Sequence, residues 1–418
     1  MSHRFAATSR AAIALAAFVF AACSSSSPAN PGGAGTGGGG AGGSNAGAGG
    51  GSGGGSGGSN AGQGGSSPGQ AGSSASPDAS DDGAVPALNP VAEHGQLKVV
   101  GTALQDQAGH PVQLKGVSSH WLNYESKPFA ESKPALQYAR DHWKLSVIRA
   151  AMGVNVSGGY LGTGTGTNAN KAAMQTKVET IIQNAIDLGI YVIVDWHTSN
   201  AVTTTNPTAQ TTQASAFFAD IATRYGSNPN VIYEPYNEPT GVTWAQIKPY
   251  HEAVVAAIRA QDPDNLIVLG TPTYSQDVDL AAQDPVSGTN LLYTLHFYAC
   301  THHQSLRDKG TLALQRGIAL FITEFGITPS DGGLARDPYV CEDEGNSWFA
   351  WMAQNNISGA SWKLDQCTDT SCLLTADAPV DGPWTDNYLT SDANGMPVDG
   401  GVSVMGGHGQ FVVNWIRE

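Results

Sequence analysis

Two glutamates stand at the ends of two apolar, strand-like runs that lie far apart in the chain. Glu238 ends the run that begins at Val231 and is followed at once by Pro239, and Glu324 closes the run that begins at Ala319. Proline cannot donate to the hydrogen-bond ladder of a sheet, so the first strand must stop there. Catalytic groups of parallel α/β proteins lie at the C-terminal tips of strands. We therefore expect two carboxylates that act together on one bond of a substrate.

Other polar side chains that could bind or orient a substrate follow further strand-like runs. They are Arg149, His197, Asn237, His296, Tyr298 and Trp362. Because successive side chains of a strand point to opposite faces, Asp195 shares a face with His197, and Ile322 shares a face with Glu324. If the strands surround a common axis, these faces converge at one rim.

The strand-like runs alternate with helical patterns along the chain. Strands are predicted at residues 115–117, 146–150, 190–195, 231–236, 266–270, 291–295, 319–323 and 359–362. Helical patterns occur at residues 135–144, 171–188, 214–225, 244–260, 344–355 and, at the end of the chain, 409–417. This alternation predicts a (β/α)8 barrel, the TIM-barrel fold, in one domain over residues 91–418. An open, doubly wound sheet is the alternative, but no Gly-x-Gly-x-x-Gly turn follows the first strand.

A short β-hairpin is expected before the barrel, formed by residues 97–100 and 112–114 around a turn at 106–109. Residues 23–90 consist mainly of Gly, Ser, Ala and Asn, which cannot bury enough apolar surface to offset the entropy of ordering. This segment is therefore predicted to be a disordered linker.

The N-terminal segment is typical of an exported protein. Arg4 and Arg10 precede a short apolar stretch that ends at Ala22, which predicts a signal peptide over residues 1–22. The residues around Cys23 resemble the cleavage site of bacterial lipoproteins, in which a lipidated cysteine would tether the protein to a membrane. An ordinary cleaved signal with an incidental cysteine is the alternative. Either way we expect an exported protein, secreted or lipid-anchored at the cell surface.

The net charge limits the kinds of binding partner. The formal net charge of −15 argues against nucleic acid and favours a neutral substrate. We expect the protein to be a monomer.

Four cysteines follow Cys23, namely Cys300, Cys341, Cys367 and Cys372. In an exported protein they are expected to form disulfides, with three pairings open. Joining Cys367 to Cys372 would close one loop and leave Cys300 with Cys341.

Five motifs stand out at the strand ends. They are Ile-Tyr-Glu-Pro-Tyr-Asn-Glu-Pro at Glu238, Asp-Trp-His at His197, Leu-His-Phe-Tyr-Ala at His296, Ile-Thr-Glu-Phe-Gly at Glu324 and Leu-Lys-Gly-Val-Ser-Ser-His at His120. Together they resemble glycoside hydrolase family 5 and, within it, the bacterial endoglucanases. The resemblance covers about residues 97–362. It implies endo-acting hydrolysis of β-1,4-glucosidic bonds in cellulose or related β-glucans, with retained configuration and without a cofactor.

The resemblance also implies roles for individual residues. Glu238 would be the acid/base and Glu324 the nucleophile, with Asn237 at the sugar 2-hydroxyl. The subsite of the cleaved sugar would be lined by His120, Arg149, His197, His296 and Tyr298, with Trp362 as its stacking platform. To these we add three aromatic residues as cleft contacts, Tyr274, Tyr124 and Trp121.

The proposed chemistry requires opposite charge states of the two glutamates. Glu324 must be ionised, which the Arg149 cation and the Tyr298 hydroxyl would favour. Glu238 must stay protonated, and the charge of Glu324 should raise its pKa. We interpret Asp195 and Glu234 as structural, with Asp195 in a buried salt bridge to Arg149.

Three histidines raise the alternative of a metal site. His120, His197 and His296 could be joined by Asp195 or Glu324, but they lack a short ligand spacing such as His-x-x-x-His. A metal is also unnecessary for this hydrolysis, so we predict none.

Some positions depart from the family pattern. Tyr124 and Tyr274 stand where relatives often place a tryptophan, and Gly153 where they often have a tyrosine. The loop after Trp362 that contains Cys367 and Cys372 lacks the lysine with which relatives bind a distal sugar. Mannan, mixed-linkage glucan and xyloglucan are therefore alternative substrates. A non-catalytic, glycan-binding surface lipoprotein is the alternative of another class.

Overall fold

A two-stranded hairpin precedes the main sheet. The computed structural model describes residues 88–164, 166–330, 340–366, 369–391 and 407–418, so the predicted signal peptide and nearly all of the predicted linker lie outside the described residues. Helix α1 (Pro90–His94) leads into strands β1 (Lys98–Val100) and β2 (Ala103–Gln105), which pair antiparallel. The predicted hairpin is confirmed.

The second strand of the hairpin was predicted wrongly at residues 112–114. The chain turns back already at Gly101, whose φ of 63° lies in the left-handed region that glycine adopts without strain. Residues 103–105 therefore pair with the first strand. Val112 still donates its amide to the carbonyl of Leu104 at 2.9 Å, but it belongs to no strand.

Eight parallel strands form a closed barrel, as predicted. The eight strands are β3 (Lys115–Ser119), β4 (Val147–Gly153), β5 (Tyr191–His197), β6 (Val231–Glu234), β7 (Ile267–Leu269), β8 (Leu291–Thr294), β10 (Ala319–Gly326) and β11 (Gly359–Leu364). A two-residue strand, β9 (Phe297–Tyr298), lies between β8 and β10 in the chain. β9 continues the line of β8 along β10. β11 pairs with both β10 and β3, and this last pairing closes the barrel.

The hairpin covers the N-terminal end of the barrel. Leu97 and Leu104 belong to a buried apolar cluster with residues near the starts of strands, among them Tyr191, Leu266 and Phe321. The opposite, C-terminal end is thus the open one, and the predicted functional residues lie there.

Helices surround the barrel. After the hairpin they are α2 (Lys133–Trp143), α3 (Lys171–Leu188), α4 (Thr211–Tyr225), α5 (Trp244–Arg259), α6 (Pro272–Ser275), α7 (Val278–Ala281), α8 (Gln304–Gln315), α9 (Glu342–Gln354) and α10 (Gly409–Arg417), with a 3-10 turn at Asp386–Tyr388. All six predicted helical patterns are helices, whereas α8 and the short elements α1, α6 and α7 were not predicted. In α3 the apolar side chains of Met174, Val178 and Ile181 recur at helical spacing on the buried face. Gly189 ends that helix in a left-handed conformation.

A disulfide joins Cys300 to Cys341, with their Cα atoms 5.2 Å apart. It links the segment after β9 to the start of α9 and is one of the pairs that the sequence left open. Cys367 lies outside the described residues, so the other predicted pair stays a prediction. Within the described parts of the chain, no helix has both the length and the apolar character needed to cross a bilayer.

Candidate active site

Arg149 on β4 is the centre of a buried network of charges. Its side chain is fully buried and forms ion pairs with Asp195 on β5 at 2.9 Å, Glu234 on β6 at 2.7 Å and Glu324 on β10 at 3.0 Å. It also donates to the amide oxygen of Asn237 at 2.6 Å. One guanidinium therefore holds acidic side chains from three other strands in fixed positions.

Glu324 is held as a carboxylate. Arg149 donates to one of its oxygens, and the Tyr298 hydroxyl donates to the other at 2.7 Å. Burial alone would raise the pKa of this carboxyl, but the positive charges of His296 and Arg149 outweigh it and lower the pKa to about 2. An ionised, oriented carboxylate near neutral pH can act as a nucleophile.

Glu238 lies beyond the end of β6, because Pro235 stops that strand two residues earlier than predicted. The following backbone is tied to the neighbouring strand: the amide of Asn237 donates to the carbonyl of Trp196, and that of Glu238 to the carbonyl of Thr198. Burial raises the pKa of the Glu238 carboxyl, and the negative charge of Glu324 raises it further. The hydrogen bond from His296 lowers this pKa but does not outweigh the two raising effects. Glu238 is therefore suited to hold a proton.

The two carboxyl groups are close enough to act on one bond. Oxygens of Glu238 and Glu324 and a ring nitrogen of His296 all lie within 4.8 Å of one another. Retaining glycosidases have carboxyl groups about 5–5.5 Å apart, whereas inverting enzymes need about 6.5–9.5 Å to admit a water. The geometry therefore fits double displacement.

The same three groups are close enough to share a cation, which the sequence spacing did not suggest. His120 and His197, which the metal alternative included, are not in this cluster. A cation bound there would neutralise both carboxylates, and glycoside hydrolysis through such a pair uses no metal.

His296 has a defined orientation because of Thr323. The Thr323 hydroxyl donates to Glu234 at 2.6 Å, and Glu234 is an acceptor because it also binds Arg149 with both oxygens. The hydroxyl must therefore accept from Nε2–H of His296, which lies 3.0 Å away.

The other ring nitrogen of His296, Nδ1, lies 2.9 Å from Oε1 of Glu238. Since Nε2 already carries a proton, the contact between Nδ1 and Glu238 holds a second, shared proton. Burial opposes charge on the imidazole, but this hydrogen bond and the charge of Glu324 leave the pKa of His296 raised. Thr323, which the sequence analysis did not single out, thus helps to keep a proton available at Glu238.

His197 lies at the end of β5 and is held neutral. Its Nδ1 is 2.6 Å from Asp195, and burial together with the Arg149 cation lowers the pKa of His197 well below its ordinary value. Its ring stacks on Trp362 with an interplanar angle of 8° and contacts the edge of Trp121. Asp195 therefore orients a residue of the site in addition to pairing with Arg149.

His120 follows β3 and is oriented by a residue from the far end of the chain. Its Nδ1 lies 2.8 Å from Asp365, whose side chain is 1% exposed, and Asp365 also accepts from the Ser126 hydroxyl. The His120 ring meets the edge of Trp362. Asp365, which the sequence analysis missed, thus joins the loops after β3 and β11.

Tyr274 is placed beside Glu238 by an unusual turn. Thr273, Tyr274 and Ser275 all have left-handed φ values between 55° and 59°, so the short element α6 is a left-handed turn and not a regular α-helix. Such φ values cost L-residues roughly 1–2 kcal/mol each. Ser275 holds the turn in place, because its hydroxyl donates to the carbonyl of Asn237 at 2.6 Å. The Tyr274 amide donates to the carbonyl of Pro239, next to Glu238.

The position of Gly153 has no room for a side chain. A Cβ atom there would lie 1.8 Å from Oδ1 of Asn123, whose amide in turn donates to the carbonyl of Ser157. Asn123 therefore fills the space that a tyrosine would need. Tyr124 beside it is 47% exposed and contacts Trp121, so an aromatic surface remains available in this part of the cleft.

The structure thus brings nine of the ten predicted site residues into one connected cluster at the open end of the barrel, with Tyr274 at its edge. The residues that connect them are Asp195, Glu234, Thr323 and Asp365. The available signal for Asp195 was that it shares a strand face with His197. No local signal existed for Thr323 or Asp365.

Known proteins resemble this chain over most of the described domain. Residues 105–368 match the family model described as cellulase, glycosyl hydrolase family 5. An endoglucanase of Clostridium saccharobutylicum is 45% identical over 306 residues, which cover 71% of this chain and 63% of the relative. Endoglucanase Z of Dickeya dadantii is 43% identical over 282 residues, which cover 67% of this chain and 60% of the relative. The chain thus spans about three fifths of the length of these relatives.

Solved structures resemble the barrel closely. A structure from Cytophaga hutchinsonii is 35% identical, covers 79% of this chain and 97% of its own, and superposes with a TM-score of 0.68. The catalytic domain of Thermobifida fusca endoglucanase Cel5A in complex with cellotetraose is 30% identical, with coverage of 79% and 100% and a TM-score of 0.67.

Proposed function

Since the chain belongs to glycosyl hydrolase family 5, we propose that it is an endo-acting, retaining hydrolase of internal β-1,4-glucosidic bonds in cellulose or related β-glucans. The observation that carries the proposal is the approach of Glu238 and Glu324 to within 4.8 Å at the open end of the barrel. Endoglucanases among the relatives and a bound cellotetraose in a similar structure support the substrate class.

In the first step Glu324 attacks the anomeric carbon and Glu238 donates its proton to the leaving oxygen. The Glu324 oxygens are aimed by Arg149 and Tyr298, so the attack needs little reorganisation. The proton comes from the hydrogen bond that Glu238 shares with His296. The transition state resembles an oxocarbenium ion, which the negative charge of Glu324 stabilises.

In the second step Glu238 acts as the base. Formation of the glycosyl-enzyme consumes the charge of Glu324, and this removes one cause of the raised pKa of Glu238. The Glu238 carboxylate can then take a proton from the incoming water, which attacks the anomeric carbon and releases Glu324.

Trp362, His197 and His120 form the wall for the cleaved sugar. Trp362 offers an indole face for the apolar C–H face of a pyranose, and His197 lies parallel to it. We assign Asn237 to the sugar 2-hydroxyl and Tyr274 to the leaving-group side, beside Glu238. The predicted export signal, with lipid attachment at Cys23 as one route, would place the enzyme where polymeric glucan is found.

The test is the hydrolysis of carboxymethylcellulose by Glu324→Gln and Glu238→Gln. Each should lose nearly all activity while remaining folded by circular dichroism. Glu252→Gln on the exposed side of α5 is the matched control and should keep wild-type activity. Full activity in either active-site variant would overturn the assignment. Binding without release of reducing sugar by the wild type would favour the non-catalytic alternative, and a panel of mannan, mixed-linkage glucan and xyloglucan would identify another substrate.

A further inference from the structure

An open cavity of about 520 Å³ lies beside the cleft, among the loops that follow β4 and β5. Four amide side chains line it, Asn155, Asn200, Gln210 and Gln213, together with the apolar Leu161 and Ala201. The volume is within the range of about 300–1,000 Å³ that small-molecule sites occupy. All the residues that line the cavity are uncharged, which disfavours an ionic ligand.

Two of these amides are held at one end by buried groups. The fully buried Trp196 donates its indole N–H to Oε1 of Gln210 at 3.0 Å, so the Nε2 amino group of Gln210 is the end left for a ligand. The buried Thr198 hydroxyl donates to Oδ1 of Asn155. The amino group of Asn155 donates to Oδ1 of Asn200 at 3.2 Å, so Asn200 also presents its amino group.

The backbone conformation of Gln210 also holds its side chain in this position. Gln210 has a φ of 67°, a left-handed conformation that is costly for an L-residue. It is the residue before α4 but makes no side-chain cap for that helix, because its amide oxygen accepts from Trp196 instead. Gln213 lies in the first turn of the same helix and also lines the cavity.

Thr198 contacts both the cavity wall and Glu238. Thr198 donates its hydroxyl to Asn155 in the cavity wall and accepts the backbone amide of Glu238 with its carbonyl at 3.1 Å. A ligand group in the cavity would therefore lie at the same end of the barrel as the substrate.

From this arrangement we propose that the cavity binds one neutral pyranose unit. The free amino groups of Gln210 and Asn200 can donate to sugar hydroxyl oxygens, and the amide of Gln213 can donate or accept. Leu161 with Ala201 can contact an apolar C–H face. The proposal rests on the proposed glucanase function. The sugar is either a branch of the glucan in the cleft or a unit of a separate chain, and both present the same chemistry.

The experiment measures binding by calorimetry in a Glu324→Gln background, which prevents turnover. The probes are cellotetraose and a xyloglucan heptasaccharide with the same backbone length. The test variant adds Asn200→Ala with Gln213→Ala, two exposed positions, and the control adds Asn206→Ala, an exposed amide on the same loop that does not line the cavity.

If the sugar is a branch, the test variant should bind the heptasaccharide roughly tenfold more weakly relative to cellotetraose, since two neutral hydrogen bonds are lost. If it is a separate unit, cellotetraose should occupy two sites in the parent and one in the test variant. The control should match the parent. Equal binding of both probes by test variant and parent, with one site each, would overturn the proposal. Hydrolysis of carboxymethylcellulose by the wild type judges the proposed function separately.

Discussion

Thr323→Val tests whether the Thr323 hydroxyl, by accepting from Nε2–H of His296, keeps Glu238 protonated. Valine preserves the shape of threonine but cannot accept from Nε2–H of His296 or donate to Glu234. Without that acceptor, the imidazole of His296 can place its only proton on Nδ1 and donate it to Glu238, which stabilises the Glu238 carboxylate. The pKa of Glu238 should therefore fall.

The size of the effect follows from one hydrogen bond. A neutral hydrogen bond contributes about 0.5–1.5 kcal/mol, and one pKa unit corresponds to about 1.36 kcal/mol. The basic limb of kcat/KM should therefore move down by about one pH unit. Loss of the Thr323 hydroxyl at buried Glu234 should also destabilise the fold by about 1–3 kcal/mol.

The assay is the pH dependence of kcat/KM on aryl β-cellobiosides with two leaving groups. Phenol needs a proton from Glu238 to depart, whereas 2,4-dinitrophenol does not, so only the phenyl substrate should show the full shift. Thr328→Val is the matched control, because its buried hydroxyl contacts Ser371 and not His296. An unchanged basic limb for the phenyl substrate in a folded Thr323→Val protein would refute this account of the proton.

Three further predictions follow from the site and the fold. Asp365→Asn should raise KM about tenfold with a smaller change in kcat, because it disturbs the orientation of His120. The exposed Asp377→Asn in the same region should change neither constant, and a fall in kcat alone in Asp365→Asn would contradict this prediction. The proposed attack requires the ionised form of Glu324, whose pKa is lowered to about 2, so the acid limb of kcat/KM should lie well below the ordinary glutamate value of 4.5. A limb at or above 4.5 on the folded enzyme would argue against the Arg149 contact. Replacing Cys300 and Cys341 together by serine should lower the free energy of unfolding by about 4 kcal/mol, since the disulfide joins residues 41 positions apart. Urea unfolding under oxidising conditions would measure this loss, and an unchanged midpoint would show that the disulfide adds no stability.

The barrel and the rim positions could be predicted because they depend on short-range patterns. Short continuous apolar runs, each ended by a polar residue or a proline, identify the strands and their C-terminal tips. Glu238, Glu324 and Arg149 could be found in this way, and the motifs around them indicate the family.

The connecting residues could not be predicted from the same patterns. Ser126 and Asp365 are 239 positions apart, and only the closed barrel brings their loops together. Thr323 resembles any strand threonine until the contacts of its hydroxyl with Glu234, His296 and Thr294 are seen. The left-handed turn at residues 273–275 contains no glycine, so nothing in its composition indicates it. The hairpin was misplaced because two apolar segments could each pair with the first strand.

Asn123 and Gly153 occupy one space between them, and this constrains how the cleft can evolve. A Cβ atom at position 153 would lie 1.8 Å from Oδ1 of Asn123, so a tyrosine there requires the Asn123 side chain to rotate away or to be replaced. Loss of Asn123 alone would open a gap and release the carbonyl of Ser157. The two positions are therefore coupled, because a side chain at position 153 would displace Asn123 and with it the hydrogen bond to the carbonyl of Ser157.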